Sequence, residues 1–300
     1  MTEFLIEFCG SKKTVKISND KLGIMASFIS GCAFATLAIF SKIAYQGGAN
    51  VPSVLFIRFT GAALVFWIYF LFKREKINYG RSTVLKLLLM GALGYGSMSA
   101  FFLLAVSRIP ASLAAMLLYL YPALVTVVTV VLKHESFNSQ KGAALVVTFA
   151  GMVLVLGASF ESSSLSGILY GIGAACVYTS YIVEGSQVLK PLEPIRATTY
   201  IMTGAAGAYI LFGLFTGGFV FSYGTAAWLA IGGIILISTI LAVTSFWLGV
   251  KWIGPSKTSI ISTVEPLFTV LLAWVIFEEM LTGLQFLGGV LIIVGVVILQ

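Results

Sequence analysis

The sequence predicts an all-α membrane protein: ten transmembrane helices arranged as two inverted five-helix repeats. Three observations predict it. Of the 300 residues, 59% are apolar and only 10% charged, against about 25% charged in soluble proteins, too few charges to cover a water-facing surface. The mean hydropathy is +1.04, carried by apolar runs that recur along the whole chain. The chain also resembles itself at an offset of 144 residues.

A helix needs about 20 mostly apolar residues to cross a bilayer, whereas a β-barrel shows alternating segments of about 10. The runs here are long and apolar on all sides. They predict spans over 22–45, 51–72, 84–107, 110–132, 141–158, 165–187, 195–219, 225–249, 254–277 and 282–300. Pro52, Pro110, Pro194 and Pro255 stand at span starts, where a missing N–H costs little. Pro122 and Pro266 stand mid-span and should kink or loosen their helices. Residues 1–21 hold seven charged side chains before any long apolar run, so they read as a cytoplasmic polar segment rather than a signal peptide.

Charge sets the orientation. With the N-terminus in the cytoplasm, all but three of the eighteen Lys and Arg residues fall in inside segments or adjoining helix ends. Lys42 and Arg108 lie outside and Arg58 lies within the second span. The imbalance predicts that both termini are cytoplasmic, in a multi-pass protein of the cytoplasmic membrane. Topology therefore accounts for the net charge of +7, and nucleic acid is not an expected partner.

At the 144-residue offset, Gly23 falls on Gly167, Cys32 on Cys176, Ser112 on Ser256, Pro122 on Pro266, Glu135 on Glu279 and Gly151 on Gly295. A proline, a glutamate and a glycine coincide at one shift, which points to a duplication into halves 22–158 and 165–300. Five is odd, so the second half enters the membrane from the opposite side. Inverted repeats are common in secondary transporters, whose sites lie near the midplane between the halves.

The clearest duplicate stretches are "SRIPASLAAMLLYLYPALVTVVTVVLKHESFNSQKGAALVVTFAGMVLVLG" and "KWIGPSKTSIISTVEPLFTVLLAWVIFEEMLTGLQFLGGVLIIVGVVILQ". With ten helices, inverted halves and cytoplasmic termini, they resemble the drug/metabolite transporter superfamily, EamA-type, over residues 20–300. The second copy, with its "EP" and its "EEMLTGLQFLGG" corner, matches better; the first has Tyr121 where the second has Glu265. The resemblance implies a central cavity lined mainly by spans 1, 3, 4, 6, 8 and 9. It also implies transport of amino acids or other small metabolites, in some members by a proton gradient. The expected partners are a small-molecule substrate, the lipid bilayer and protons as coupling ion.

Glu265 is the most informative residue. A charged side chain at mid-span costs at least about 2.5 kcal/mol on insertion scales and should face protein or water. Thr258, Ser262, Glu265 and Thr269 follow i, i+4, i+7, i+11 spacing, so they form one polar stripe. The stripe is either a cavity wall, with Glu265 holding an amine or a coupling proton, or an interhelical seam. Arg58 suits a substrate carboxylate, but a structural ion pair or interfacial anchor is the expectation. Tyr95, Phe101, Tyr119, Tyr121, Tyr178, Tyr181 and Trp247 fall in the spans the resemblance makes cavity-lining. Several of them are expected to wall the cavity; for any single one ordinary packing is the expectation. Tyr178, Tyr181 and Glu184 share a helix face by spacing.

Gly91, Gly94, Gly96, Gly204 and Gly207 read as close helix contacts, since no Lys-Ser/Thr follows them to make a phosphate loop. Glu135 and Glu279, at repeat-related corners, are expected to cap the following helix or pair locally. His134 reads as a solvated loop residue. The three cysteines show no disulfide or metal spacing. No cofactor or metal motif and no catalytic constellation is present, so an enzyme is not expected. The reading is a secondary transporter of small organic solutes, with an uncoupled facilitator as the alternative.

Overall fold

The computed structural model describes residues 19–74, 79–132, 138–159, 164–189, 191–216, 218–262 and 264–298. Most of the N-terminal segment, with Cys9, and the His134 and Glu135 corner lie outside them. The described chain is helical throughout its spans. α1 is Asn19–Gln46, α2 is Val51–Lys73 and α3 is Arg81–Val106. α4 comes in two pieces, Ala111–Leu118 and Tyr121–Val131. α5 is Ser139–Ser159, α6 is Leu165–Val188 and α7 is Pro194–Thr216. α8 is Thr225–Ile253, and α10 is Gly283–Ile298. α9 begins where α8 turns back and ends with Val264–Phe277.

Local chemistry sets several ends. The Asn50 side chain accepts from the Ser53 N–H at 3.0 Å to start α2, an N-cap that satisfies an orphan donor. Thr282 and Gln285 exchange bonds of 2.9 and 3.2 Å at the start of α10, a capping box with Gln in the fourth place. Helical backbone continues over Ala242–Ser262, where the sequence predicts a break before residue 254. The chain nonetheless doubles back there: a Cβ on Gly249 would lie 3.2 Å from the Thr258 hydroxyl, which nine residues of straight helix would hold about 13 Å away. Two antiparallel spans result, as the apolar pattern predicts.

The halves interlock. Ser30 donates to the Ala242 carbonyl at 2.8 Å and Thr36 meets Ser238 at 2.7 Å, so α1 runs antiparallel to α8. Ser27 donates to Thr258 and Thr269 donates to the Ala35 carbonyl, each at 3.4 Å, so α1 runs alongside α9 in the same sense. In the mirror arrangement, α6 packs against α3 and α4. The first helix of each half thus docks against the third and fourth of the other. α5 and α10 cross at Gly151 and Gly295, where a Cβ on either would meet partner backbone; small residues allow such close approach. Exposed apolar side chains are spread over the bundle: Leu71, Phe72, Leu214, Phe215 and Leu229 are each more than 70% exposed. Patches of that kind are rare on water-facing monomers, and here they face the bilayer.

Irregular turns interrupt several of the described helices. α3 contains a π turn at Met90–Tyr95, and α8 contains one at Leu236–Leu241. α4 is interrupted at Tyr119 and Leu120 just before Pro122. The break in α4 stands where the sequence expects Pro122 to loosen its helix. Pro266 lacks the N–H that would bond the Ser262 carbonyl. The Tyr119 hydroxyl donates to that carbonyl instead, so the break in α4 satisfies the acceptor that Pro266 leaves open in α9. Tyr119→Phe is expected to cost about 1–3 kcal/mol by orphaning a buried carbonyl, read as a lower melting temperature in detergent.

Candidate functional site

Tyr119 is also the first member of a tyrosine chain. Ring centroids run from Tyr119 to Tyr121 at 5.7 Å, Tyr121 to Tyr178 at 4.6 Å, Tyr178 to Tyr181 at 6.0 Å and Tyr181 to Tyr95 at 5.7 Å. Edge-on and stacked geometries in this range are mutually attractive. Three helices supply the chain: α4, α6 and α3. Tyr121, Tyr178 and Tyr181 are half-buried, while Tyr95 and Tyr119 are buried. Gly94 allows the approach on one side, since a Cβ there would lie 2.8 Å from the Tyr181 ring.

Glu265 stands opposite, on α9 beside Pro266. Its carboxyl is half-buried and has no hydrogen-bond or ion-pair partner among the described residues. Its carboxyl lies within electrostatic reach of Tyr95, Tyr119, Tyr121 and Tyr178.

The rest of the α9 stripe is a seam. Ser262 donates to the Thr258 carbonyl at 2.9 Å and Thr269 to the Glu265 carbonyl at 3.0 Å. Thr258 and Thr269 are buried against α1. The stripe spacing is therefore real, but only Glu265 leaves its polar group unspent. Trp247 packs edge-on against Phe246 at 5.5 Å, and Phe101 sits 6.0 Å from Tyr170; neither ring contact joins the tyrosine chain. Glu184 is exposed, although its spacing places it near Tyr178 and Tyr181.

Arg58 departs from both expectations. It is 0% exposed, so it does not anchor at the interface, and no carboxylate pairs with it among the described residues. Its Nε donates to Thr239 at 2.9 Å, Nη2 to the Tyr95 hydroxyl at 2.9 Å and Nη1 to Ser99 at 3.4 Å. Its guanidinium lies 5.0 Å from the Phe59 ring centroid and 5.6 Å from that of Tyr95. Sequence reasoning missed Ser99 and Thr239, because a single hydroxyl in an apolar span carries no signal by itself.

Glu279 caps a helix, but not the one that follows it. Its carboxylate accepts from the Ala111 and Ser112 N–H groups at 3.2 and 3.3 Å and from the Ser112 hydroxyl at 2.9 Å, all at the start of α4. It also pairs with Lys42 of α1. The following helix has its own cap in Thr282, so the acid is free to serve a distant one. Partial burial by itself raises the Glu279 pKa, but the Lys42 ammonium, the Ser112 hydroxyl and the Ala111 N–H outweigh it and hold the carboxyl below its ordinary range. A depressed folded pKa contributes stability that is present above the unfolded value and lost as pH falls through the folded one. Melting should therefore be flat from neutrality down to about pH 5 and fall below about pH 4. Glu279→Gln should lower the neutral-pH melting temperature and reduce that acid-side drop. An equal acid-side drop in the variant would remove Glu279 from the account.

A cleft of about 400 Å³ opens between α4, α9 and α10, lined by Met116, Leu267, Trp274 and Phe286 and reaching Tyr119 and Pro266. Its walls are almost wholly apolar, so it is not the polar site. Among the described residues no group of His, Cys, Asp and Glu is placed to hold a metal ion.

Comparison with known proteins agrees with this architecture. The EamA-like transporter family matches residues 21–157 and again residues 165–300. The uncharacterized transporter YcbK of Bacillus subtilis is 26% identical over 289 residues, covering 91% of each chain. An uncharacterized transporter of Archaeoglobus fulgidus is 26% identical over 278 residues, covering 93% of this chain and 96% of its own. A solved crystal structure superposes with a TM-score of 0.68 at 18% identity, over 92% of this chain and 97% of that one, a likeness of fold. The chain is a multi-pass membrane protein and belongs to the EamA-like transporter family.

Proposed function

We propose that the protein is a secondary transporter that moves small organic solutes, amino acids or related metabolites, across the cytoplasmic membrane by alternating access, in the export direction. The observation that carries this reading is the Glu265 carboxyl. It stands beside Pro266 at mid-span without a hydrogen-bond or ion-pair partner among the described residues, within electrostatic reach of four tyrosines. An intramembrane charge without a partner is costly, and such groups mark solute and proton paths. Broken helices with backbone ends at membrane depth are how many transporters build their sites.

Glu265 holds the solute amine or the coupling proton, and Tyr121, Tyr178 and Tyr181 form the wall. Tyr95 and Tyr119 fix the two ends of that wall. Thr258, Ser262 and Thr269 hold α9 against α1, and Trp247 and Phe101 pack the surrounding helices. The chain divides into the halves 22–158 and 165–300, with both termini in the cytoplasm.

The test uses purified protein in liposomes on a solid-supported membrane, pulsed with amino acids, amines and aromatic metabolites with and without a pH step. A saturable current or proton movement absent from empty liposomes supports coupled transport and names the solute class. Saturable labelled-solute counterflow with no response to the pH step overturns coupling and leaves a facilitator.

A further inference from the structure

We propose that Arg58 is a positioning residue that acts on the solute through Tyr95, by fixing the Tyr95 hydroxyl as a hydrogen-bond donor. The inference rests on the reading that the tyrosine chain walls the solute site.

Three observations lead there. The first is cost. A guanidinium with no exposure and no anionic partner is expensive to keep in a low-dielectric interior. Packing does not require it: the position 144 residues on is Met202, a buried apolar side chain at 2% exposure. The fold at that point is therefore satisfied by a methionine, and the charge at 58 has another use.

The second is placement. The two closest partners of the guanidinium, Tyr95 and Thr239 at 2.9 Å each, are themselves 144 residues apart. Each lies in a π turn, in α3 and α8. Such turns re-aim side chains and occur at functional sites. One arginine thus joins equivalent points of the two halves, where a change in one half's helix is felt by the other.

The third is the chemistry of the Tyr95 hydroxyl. It accepts from Arg58 Nη2, so its own proton is left to donate. A charge-assisted bond received from a cation polarises the O–H and makes it a better donor. Tyr95 has Arg58 on one side, and Tyr181 and the charge of Glu265 on the other. A solute oxygen, from a carbonyl or a carboxylate, is the acceptor such a donor would receive. A lysine cannot reproduce the planar fork that reaches Tyr95, Thr239 and Ser99 together.

The test is a double-mutant cycle on Arg58→Met and Tyr95→Phe, with Arg58→Lys as a variant that keeps the charge. Each of the twenty common L-amino acids is offered as a radiolabelled solute in counterflow. For those that wild type carries, Arg58→Met and Tyr95→Phe should each raise KM about tenfold, the value of one lost hydrogen bond, with maximal rate little changed. The double variant should be no worse than either single one. Additive effects, or loss of maximal rate at unchanged KM, would overturn the proposal and make Arg58 a packing element.

A solute-free arm reads the ¹³Cζ resonance of labelled tyrosine, assigned to position 95 by its loss in Tyr95→Phe. It should move in Arg58→Met; an unmoved resonance overturns the proposal even if transport falls. If wild type shows no counterflow for any amino acid, the amino-acid reading fails and the solute role of Arg58 fails with it. Saturable wild-type counterflow with additive variants overturns the Arg58 role alone.

Discussion

Glu265→Gln is expected to reduce proton-driven accumulation to the level of protein-free liposomes while solute exchange continues. Glutamine has the size and shape of the acid but cannot bind or release a proton near neutrality. The half-buried carboxyl makes no ion pair or hydrogen bond among the described residues, so the substitution breaks no described contact. Breaking a buried pair by removing one partner costs about 3–5 kcal/mol; where no pair exists, no such loss is expected. The melting temperature should therefore hold or rise, because a charge has been removed from a poorly solvated place. A variant that melts many degrees lower, with driven and exchange transport falling together, would make Glu265 a structural staple between α9 and its neighbours. Unchanged driven transport would remove it from coupling.

The largest expected loss of stability comes from side chains introduced at the crossing of α3 and α7. A Cβ on Gly91 would collide with the Ile201 carbonyl, and a Cβ on Gly204 would collide with the Leu88 carbonyl. The two contacts are reciprocal, and in each the obstacle is main chain. A side-chain tip can swing away, but a carbonyl inside a helix can move only with the helix. Overpacking costs typically about 1–3 kcal/mol and sometimes more, and these sites belong at the upper end. Gly91→Ala and Gly204→Ala should each lower the melting temperature strongly, and leucine at either position should leave little folded protein by size-exclusion profile. Gly207, on the same helix, has nothing within 4 Å of its would-be Cβ. Gly207→Ala should be neutral or slightly stabilising, since alanine is the better helix former. Equal losses at Gly204 and Gly207 would mean that the crossing is not where the structure puts it.

These glycines illustrate what a sequence can and cannot disclose. Spacing and composition in apolar runs reveal that Gly204 and Gly207 are small. They do not reveal that one touches backbone and the other touches nothing, which depends on the crossing angle of a helix more than a hundred residues away. The spans themselves were legible because each must be long and apolar independently of its neighbours. The break at Tyr119 and the open carbonyl before Pro266 were half legible: proline announces a missing N–H, but not that a tyrosine from the other half would take the orphaned carbonyl. The i, i+4, i+7 stripe on α9 was visible, whereas the spending of three of its four polar groups on α1 and on its own backbone was not. Arg58 drew notice as a charge in a span. Its partners did not, because Thr239 and Ser99 become meaningful only once α2, α3 and α8 converge. Glu279 was legible as a corner acid that caps or pairs; that it pairs with Lys42 and caps α4 was not, because both partners lie far off in sequence.

The Glu279 cap also bears on the order in which the chain is made. The first N–H groups of α4, near residue 111, find their acceptor on residue 279, and the Tyr119 hydroxyl waits for the Ser262 carbonyl. Chains grow from the N-terminus at about 5–20 residues per second, so well over a hundred residues must emerge before either group is satisfied. During that interval the first half carries an uncapped helix start, and Lys42 lacks its carboxylate. Nascent chains stopped after α5 should thus be the species most dependent on membrane insertases and most open to proteolysis, and the last two helices act as the closing step of biogenesis for the first half as much as for their own.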